Sequence, residues 1–175
     1  MALNLAKKKA VVKEVADTAS SALLIVVAEY RGLTVAQMSK LRRLSLKADV
    51  EIKVVKNSLA KRALADTDHA CINDILQGPL VLAFSREDPG GAARVMRDFG
   101  KDHDKLKVTG LSMGAELMDA SMLEQVANLP TYDQAIAKLL GVMKAPVEKL
   151  VRTMIEPTAK LTRAMAAVRE QKQAA

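Results

Sequence analysis

The chain has 175 residues, half of them hydrophobic, and 27 Lys and Arg against 20 Asp and Glu give it a net charge of +7. This length allows one compact domain with an extension, or two very small domains, and the hydrophobic content argues against a disordered chain. A basic excess favours a polyanionic partner, either nucleic acid or an anionic membrane. One cysteine and two histidines exclude an intrachain disulfide and a cysteine–histidine zinc cage, and we expect no metal or cofactor.

The positive charge is concentrated in the first third of the sequence. Residues 1–62 hold 13 basic and 5 acidic side chains, residues 63–131 hold 6 and 11, and residues 132–175 hold 8 and 4. We therefore expect nucleic acid to bind the first third, although a solvated basic surface is the alternative. Aromatic residues make up only 2% of the chain, too few for platforms that stack unpaired bases, so docking on folded RNA through phosphates and shape is favoured.

The first predicted element is a helix over 4–20, with Asn4 at its cap and with Lys7 and Lys8 in its first half. An isolated helix prefers acidic side chains there, so these lysines indicate a use for the charge or a solvated basic face. A capping box at Thr34 and Gln37 begins the second helix, in which we expect four apolar residues to be buried: Val35, Met38, Leu41 and Leu44.

Strands alternate with helices over the first 130 residues. The predicted strands are 23–28, 50–54, 80–84 and 106–109, and the helices after the first are 35–47, 58–65 and 91–101. Irregular chain through Gly110 and Gly114 then leads to a short helix that ends near Leu129. This alternation predicts the α/β class, with one compact N-terminal domain of mixed sheet and helices.

The character of the chain changes at Pro130, after which helical residues run to the end without a strand pattern. Pro146 and Pro157 are expected to kink this helical arm. The sequence thus predicts three parts, which are an α/β domain at 1–129, a hinge at 130–132 and a long, proline-kinked arm at 133–175.

The arm contains an eleven-residue repeat: KLLGVMKAPVE (138–148), KLVRTMIEPTA (149–159) and KLTRAMAAVRE (160–170). Eleven residues exceed three helical turns by only about 20°, so the repeat keeps one helix face. Each unit places a leucine and a methionine four residues apart on that face; the pairs are Leu139 and Met143, Leu150 and Met154, and Leu161 and Met165. Three equal apolar stripes predict three docking sites for copies of one partner, and an arm folded back on the domain is the alternative. The third unit has Val168 where the others have proline.

Two other classes of function match the sequence less well. An enzyme needs a site, and the chain has no Walker loop, no dinucleotide-binding glycine motif and no HExxH motif. Gly110 to Gly114 has GxSxG spacing but not the strand-to-helix context of a nucleophile elbow. A membrane-surface module would use the basic amphipathic arm, which lacks Trp and Phe anchors. We expect no catalytic residue, no membrane partner and a cytoplasmic location.

Four motifs carry a resemblance to a known family. They are Ala28-Glu29-Tyr30-Arg31-Gly32-Leu33-Thr34-Val35, Val54-Val55-Lys56-Asn57-Ser58-Leu59, Gly78-Pro79 and Leu129-Pro130-Thr131-Tyr132. In order and spacing, over essentially the whole chain, they resemble the bacterial ribosomal stalk-base proteins, the tenth protein of the large subunit. In that family the N-terminal domain binds large-subunit rRNA at the GTPase-associated centre, beside the eleventh large-subunit protein. The C-terminal helix carries dimers of the acidic stalk protein, which recruit translational GTPases. Some members also repress translation of their own messenger RNA.

Carried over motif by motif, the resemblance implies RNA contacts at Arg31, Lys56, Asn57 and Arg62, and the basic first helix adds Lys7 and Lys8. Gly32 would let its turn approach a phosphate closely. Asn57 alternatively caps its helix. On the arm, the resemblance and the repeat together predict three stalk dimers per chain.

Overall fold

The computed structural model describes residues 4–103 and 105–174, and the chain divides into two units, Met1–Thr131 and Tyr132–Ala175. The helices of the first unit are α1 (Leu5–Ser21), α2 (Val35–Lys47), α3 (Asn57–Leu64), α4 (Gly91–Asp102) and α5 (Leu123–Ala127), with short 3-10 segments at Ala70–Asp74 and Ala120–Met122. Its strands are β1 (Leu24–Glu29), β2 (Val50–Lys53), β3 (Leu80–Ser85), β4 (Lys107–Met113) and β5 (Glu116–Asp119). The second unit is the helix α6 (Tyr132–Ala174). The predicted α/β class with a long helical arm is confirmed.

The five strands form one sheet in the order β2-β3-β1-β4-β5, and each pairing is antiparallel. β1 is central because its unbroken apolar run suits a strand that is covered on both faces. Ile25 and Val27 belong to a core that contains residues of α1 and α3. Leu24 and Val26 belong to a second core that contains residues of α2, α4 and α5. Helices therefore cover both faces of the sheet, and α1 and α3 share one face.

The start of α2 forms as predicted, but the buried face of this helix is narrower than predicted. The Gln37 side chain accepts from the Thr34 amide at 2.8 Å and the Gln37 amide donates to Thr34 Oγ1 at 3.3 Å, which completes the capping box. Leu41 is fully buried, whereas Val35 is 86% exposed and Leu44 is also exposed. Val35 lies about 240° around the helix from Leu41, so the predicted burial of Val35 was wrong.

The segment around Gly110 is a strand and not irregular chain as predicted. Val27 pairs with Gly110 and Ala28 with Val108, so Thr109 is an extra residue in a β-bulge of β4. A Cβ on Gly110 would lie 2.9 Å from Ile75 Cδ1. This glycine therefore permits close packing inside a strand, and the chain continues into a hairpin with β5.

The arm is one helix of 43 residues, and Pro146 and Pro157 lie inside it. Neither proline has an N–H group to donate to the carbonyl four residues earlier. The helix is therefore continuous but lacks one backbone hydrogen bond at each predicted kink position. Pro130 lies in the non-helical residues between α5 and α6. Within residues 4–103 and 105–174, no helix combines the length and apolar character needed to cross a bilayer.

Candidate RNA interface and docking sites on the arm

Three segments that are far apart in the sequence meet at one end of the sheet. The turn after β1 contacts the start of β3, where the Tyr30 amide donates to the Pro79 carbonyl at 3.3 Å. The start of α3 contacts the same region, where Asn57 Nδ2 donates to the Gly78 carbonyl at 2.9 Å. An open cleft of about 470 Å³ lies there, and Lys56 is part of its lining. Three of the motifs that carry the family resemblance thus form one continuous surface.

Asn57 does not cap α3. The N-cap position belongs to Lys56, whose carbonyl accepts from the amides of Leu59 at 2.8 Å and Ala60 at 3.0 Å. Asn57 is the first helical residue, and its side chain is committed to Gly78. The capping alternative is therefore wrong, and Asn57 fixes the start of α3 against the Gly78 turn. A direct contact of Asn57 with RNA stays a prediction.

The beginning of α3 has the chemistry of an anion site. The first amides of any helix lack partners within the helix, and a capping side chain usually accepts from one of them. No side chain caps α3, because its N-cap residue is a lysine. A helix start without a capping side chain, next to an exposed Lys56, suits a phosphate group.

The other predicted RNA contacts lie on the turn after β1, on α3 and on α1. Arg31 and Gly32 form the exposed turn after β1, and Gly32 has a φ of 89°, which an L side chain rarely adopts. Arg62 is exposed on α3, and Lys7 and Lys8 are exposed on α1, which packs against α3 on the same face of the sheet. Among the residues that the structure describes, none of these four cations or Lys56 forms an ion pair. These cations are available to a polyanion.

Lys53 differs from these lysines because it is held by acids. Its Nζ lies 2.8 Å from Glu14 Oε1 and 3.0 Å from Glu51 Oε1, and it donates to Thr18 Oγ1 at 3.1 Å. The hydrogen bond from Lys53 and its charge lower the pKa of Glu14. Partial burial opposes the charge of Lys53, but the hydrogen bonds and charges of Glu14 and Glu51 outweigh it and raise the pKa of Lys53. Lys53 therefore links α1 to β2 through its ion pair with Glu14.

Two basic residues that the sequence reasoning missed lie beside the Arg31 turn. A Cβ on Gly32 would lie 3.4 Å from Lys105 Cδ. Lys107 pairs with Glu29 across β1 and β4, and both lysines are exposed. Neither lysine was predicted as an RNA contact, because residues 63–131 contain more acidic than basic side chains. The spacing Lys105-Leu106-Lys107 at the start of the predicted strand 106–109 was the available signal.

Ser112, the serine of the GxSxG-like segment, is a core residue. It is fully buried in β4, and its Oγ donates to the Gly114 carbonyl at 2.9 Å. His69 Nδ1 lies 2.9 Å from Ser112 Oγ, and His69 Nε2 donates to the Ala22 carbonyl at 3.2 Å. The segment runs from strand to turn to strand, so it has no nucleophile elbow. The serine and histidine join the β4 hairpin to the end of α1.

The predicted docking residues of the arm are strongly exposed. Leu139, Met143, Leu150, Met154, Leu161 and Met165 are between 60% and 73% exposed. Two further side chains beside each leucine–methionine pair complete a quartet with the i, i+3, i+4, i+7 spacing of one helix face. The quartets are Ile136-Leu139-Leu140-Met143, Val147-Leu150-Val151-Met154 and Thr158-Leu161-Thr162-Met165. The arm thus carries a long uncovered apolar stripe, which is typical of an interaction surface.

Comparison with known proteins identifies the family. The chain matches the models described as Ribosomal protein L10, over residues 3–101, and Ribosomal protein uL10 C-terminal region, over residues 129–155. The second match contains the first two quartets and ends before the third.

Three curated relatives bear the name Large ribosomal subunit protein uL10. The relative from Thioalkalivibrio sulfidiphilus is 54% identical over 174 residues, which is 99% of each chain. The one from Nitrosococcus oceani is 55% identical over 174 residues, covering 99% of this chain and 94% of its own. The one from Legionella pneumophila is 52% identical over 172 residues, covering 98% and 97%. The chain therefore belongs to the ribosomal protein L10 family, whose members are RNA-binding, non-enzymatic components of the large ribosomal subunit.

Proposed function

We propose that the chain forms the base of the ribosomal stalk in the cytoplasm. Its first unit binds large-subunit rRNA at the GTPase-associated centre, beside the eleventh large-subunit protein, and its arm holds dimers of the acidic stalk protein. Those dimers recruit translational GTPases, so the chain acts on translation indirectly. The observation that carries the proposal is the exposed leucine–methionine pair that recurs every eleven residues along α6.

The RNA half of the proposal rests on charge and local geometry. Arg31 and Lys56 are exposed cations near an uncapped helix start, Arg62 is exposed in the last turn of the same helix, and Lys7 and Lys8 add positive charge on α1. Phosphates accept from such groups without any reading of bases, which agrees with the scarcity of aromatic side chains. Lys105 and Lys107 would widen the contact around Gly32. We therefore expect binding through the RNA backbone and shape, with strong salt dependence.

The arm half of the proposal rests on spacing. Successive quartets start eleven residues apart, which is about 16 Å along a helix, and they differ by only about 20° in direction. Copies of one partner can thus dock side by side in the same orientation. The arm holds 8 basic and 4 acidic side chains, and this net positive charge favours an acidic partner. Three quartets give three dimers per chain.

The test changes one quartet and leaves the others intact. Leu150→Asp with Met154→Asp should remove one dimer in native mass spectrometry of the chain mixed with stalk dimers. Burial of a carboxylate in an apolar groove costs several kcal/mol. The matched control, Ala145→Asp with Ala167→Asp, adds the same charge on the opposite side of α6 and should keep the full number. A quartet variant that retains every dimer, or loses all of them, would contradict separate sites.

A further inference from the structure

The three quartets differ in one pair of positions. Each unit keeps its leucine and its methionine, but the residues that complete the quartet change along the arm. They are Ile136 and Leu140 in the first quartet, Val147 and Val151 in the second, and Thr158 and Thr162 in the third. The apolar stripe therefore becomes narrower toward the C-terminus. We infer that the docking sites are graded, with the third about tenfold weaker than the second.

The threonine hydroxyls explain the size of the difference. Thr158 Oγ1 donates to the Ile155 carbonyl at 2.7 Å, and Thr162 Oγ1 donates to the Ala159 carbonyl at 2.9 Å. A partner can cover both hydroxyls without leaving them unpaired, so the third site still binds. Each threonine nevertheless offers one methyl group where a valine offers two. Loss of two buried methyl groups weakens binding by about tenfold.

Graded sites change how the stalk assembles. This inference rests on the proposed function, because it concerns the same partner and the same arm. At low partner concentration two dimers occupy Ile136–Met143 and Val147–Met154. The third dimer joins Thr158–Met165 only when the partner is about tenfold more abundant. The third dimer also leaves faster, because affinity differences within related sites arise mainly from dissociation rates. The length of the stalk then follows the supply of its acidic protein.

The test titrates the full chain with purified stalk dimers and follows the bound species by native mass spectrometry. We expect the two-dimer complex to accumulate before the three-dimer complex appears. Thr158→Val with Thr162→Val should strengthen the last step about tenfold and make the third site resemble the second. Val147→Thr with Val151→Thr should weaken a second site, so that one dimer binds before the other two. Thr153→Val, which lies off the stripe, should change neither step. Circular dichroism verifies that each variant keeps its helix.

Three outcomes would overturn the inference, and they differ in whether the docking function survives. Three equal binding steps, or a Thr158→Val and Thr162→Val variant that titrates like the original chain, would refute the gradient while the docking function stands. Absence of any bound dimer on the original chain would refute the proposed function itself, and the gradient with it.

Discussion

Removal of three cations, two near the start of α3 and one in its last turn, should weaken RNA binding in a salt-dependent way. The variant is Arg31→Ala, Lys56→Ala and Arg62→Ala, and each of these side chains is exposed and outside the ion pairs of the described residues. Each lost phosphate contact reduces the slope of log K against log salt by about 0.7 to 0.9. Three contacts therefore reduce it by about 2 to 3. At 0.1 M salt the same slopes correspond to a loss of roughly 100- to 500-fold in affinity.

The control variant removes the same charge from the opposite face of the sheet. The control variant is Arg42→Ala, Arg43→Ala and Lys47→Ala, which changes exposed residues of α2. Its slope of log K against log salt should change by less than the value for one phosphate contact. Filter binding to a fragment of large-subunit rRNA, repeated over a series of salt concentrations, gives both slopes. Equal slopes for the two variants would refute the placement of the RNA surface, provided that both keep their melting temperatures.

Three further changes follow from the structure. Deletion of 149–159 removes one full repeat, so native mass spectrometry should show one dimer fewer while RNA binding is unchanged. The lowered pKa of Glu14 gives stability that is present above the ordinary glutamate pKa and is lost as the pH falls through the lowered value. Glu14→Gln should therefore flatten the acid side of a plot of melting temperature against pH. The raised pKa of Lys53 acts at the alkaline end, where stability is lost as the pH rises through it. Gly110→Val places side-chain atoms against Ile75 and should destabilise the first unit by about 1 to 3 kcal/mol, measured by chemical denaturation.

The elements that the sequence predicted well are those with local signals. The apolar run of β1 and the capping box at Thr34 each depend on residues within a few positions of one another. The arm repeat is likewise a local periodicity, and α6 forms over its full length. Local pattern was therefore enough for the α/β class and for the helical arm.

The features that the sequence missed depend on contacts between distant residues. Gly110 looked like a strand end, because its close approach to Ile75 is visible only in the folded sheet. Asn57 was predicted as an RNA contact or a helix cap, and its bond to Gly78 could not be foreseen because it joins segments 21 positions apart. Lys105 lies in an acidic stretch and meets Gly32 only through the pairing of β1 with β4. Charge counts along the chain cannot find a surface that is assembled from several segments.

The most direct test of the whole account measures both partners on one chain. Native mass spectrometry of the full chain with an rRNA fragment and stalk dimers should show complexes that contain one RNA together with two and then three dimers. The Arg31, Lys56 and Arg62 variant should lose the RNA and keep the dimers, and the chain without 149–159 should keep the RNA and lose one dimer. If RNA and dimers exclude each other, or if either variant loses both, the division of function between the two units is contradicted.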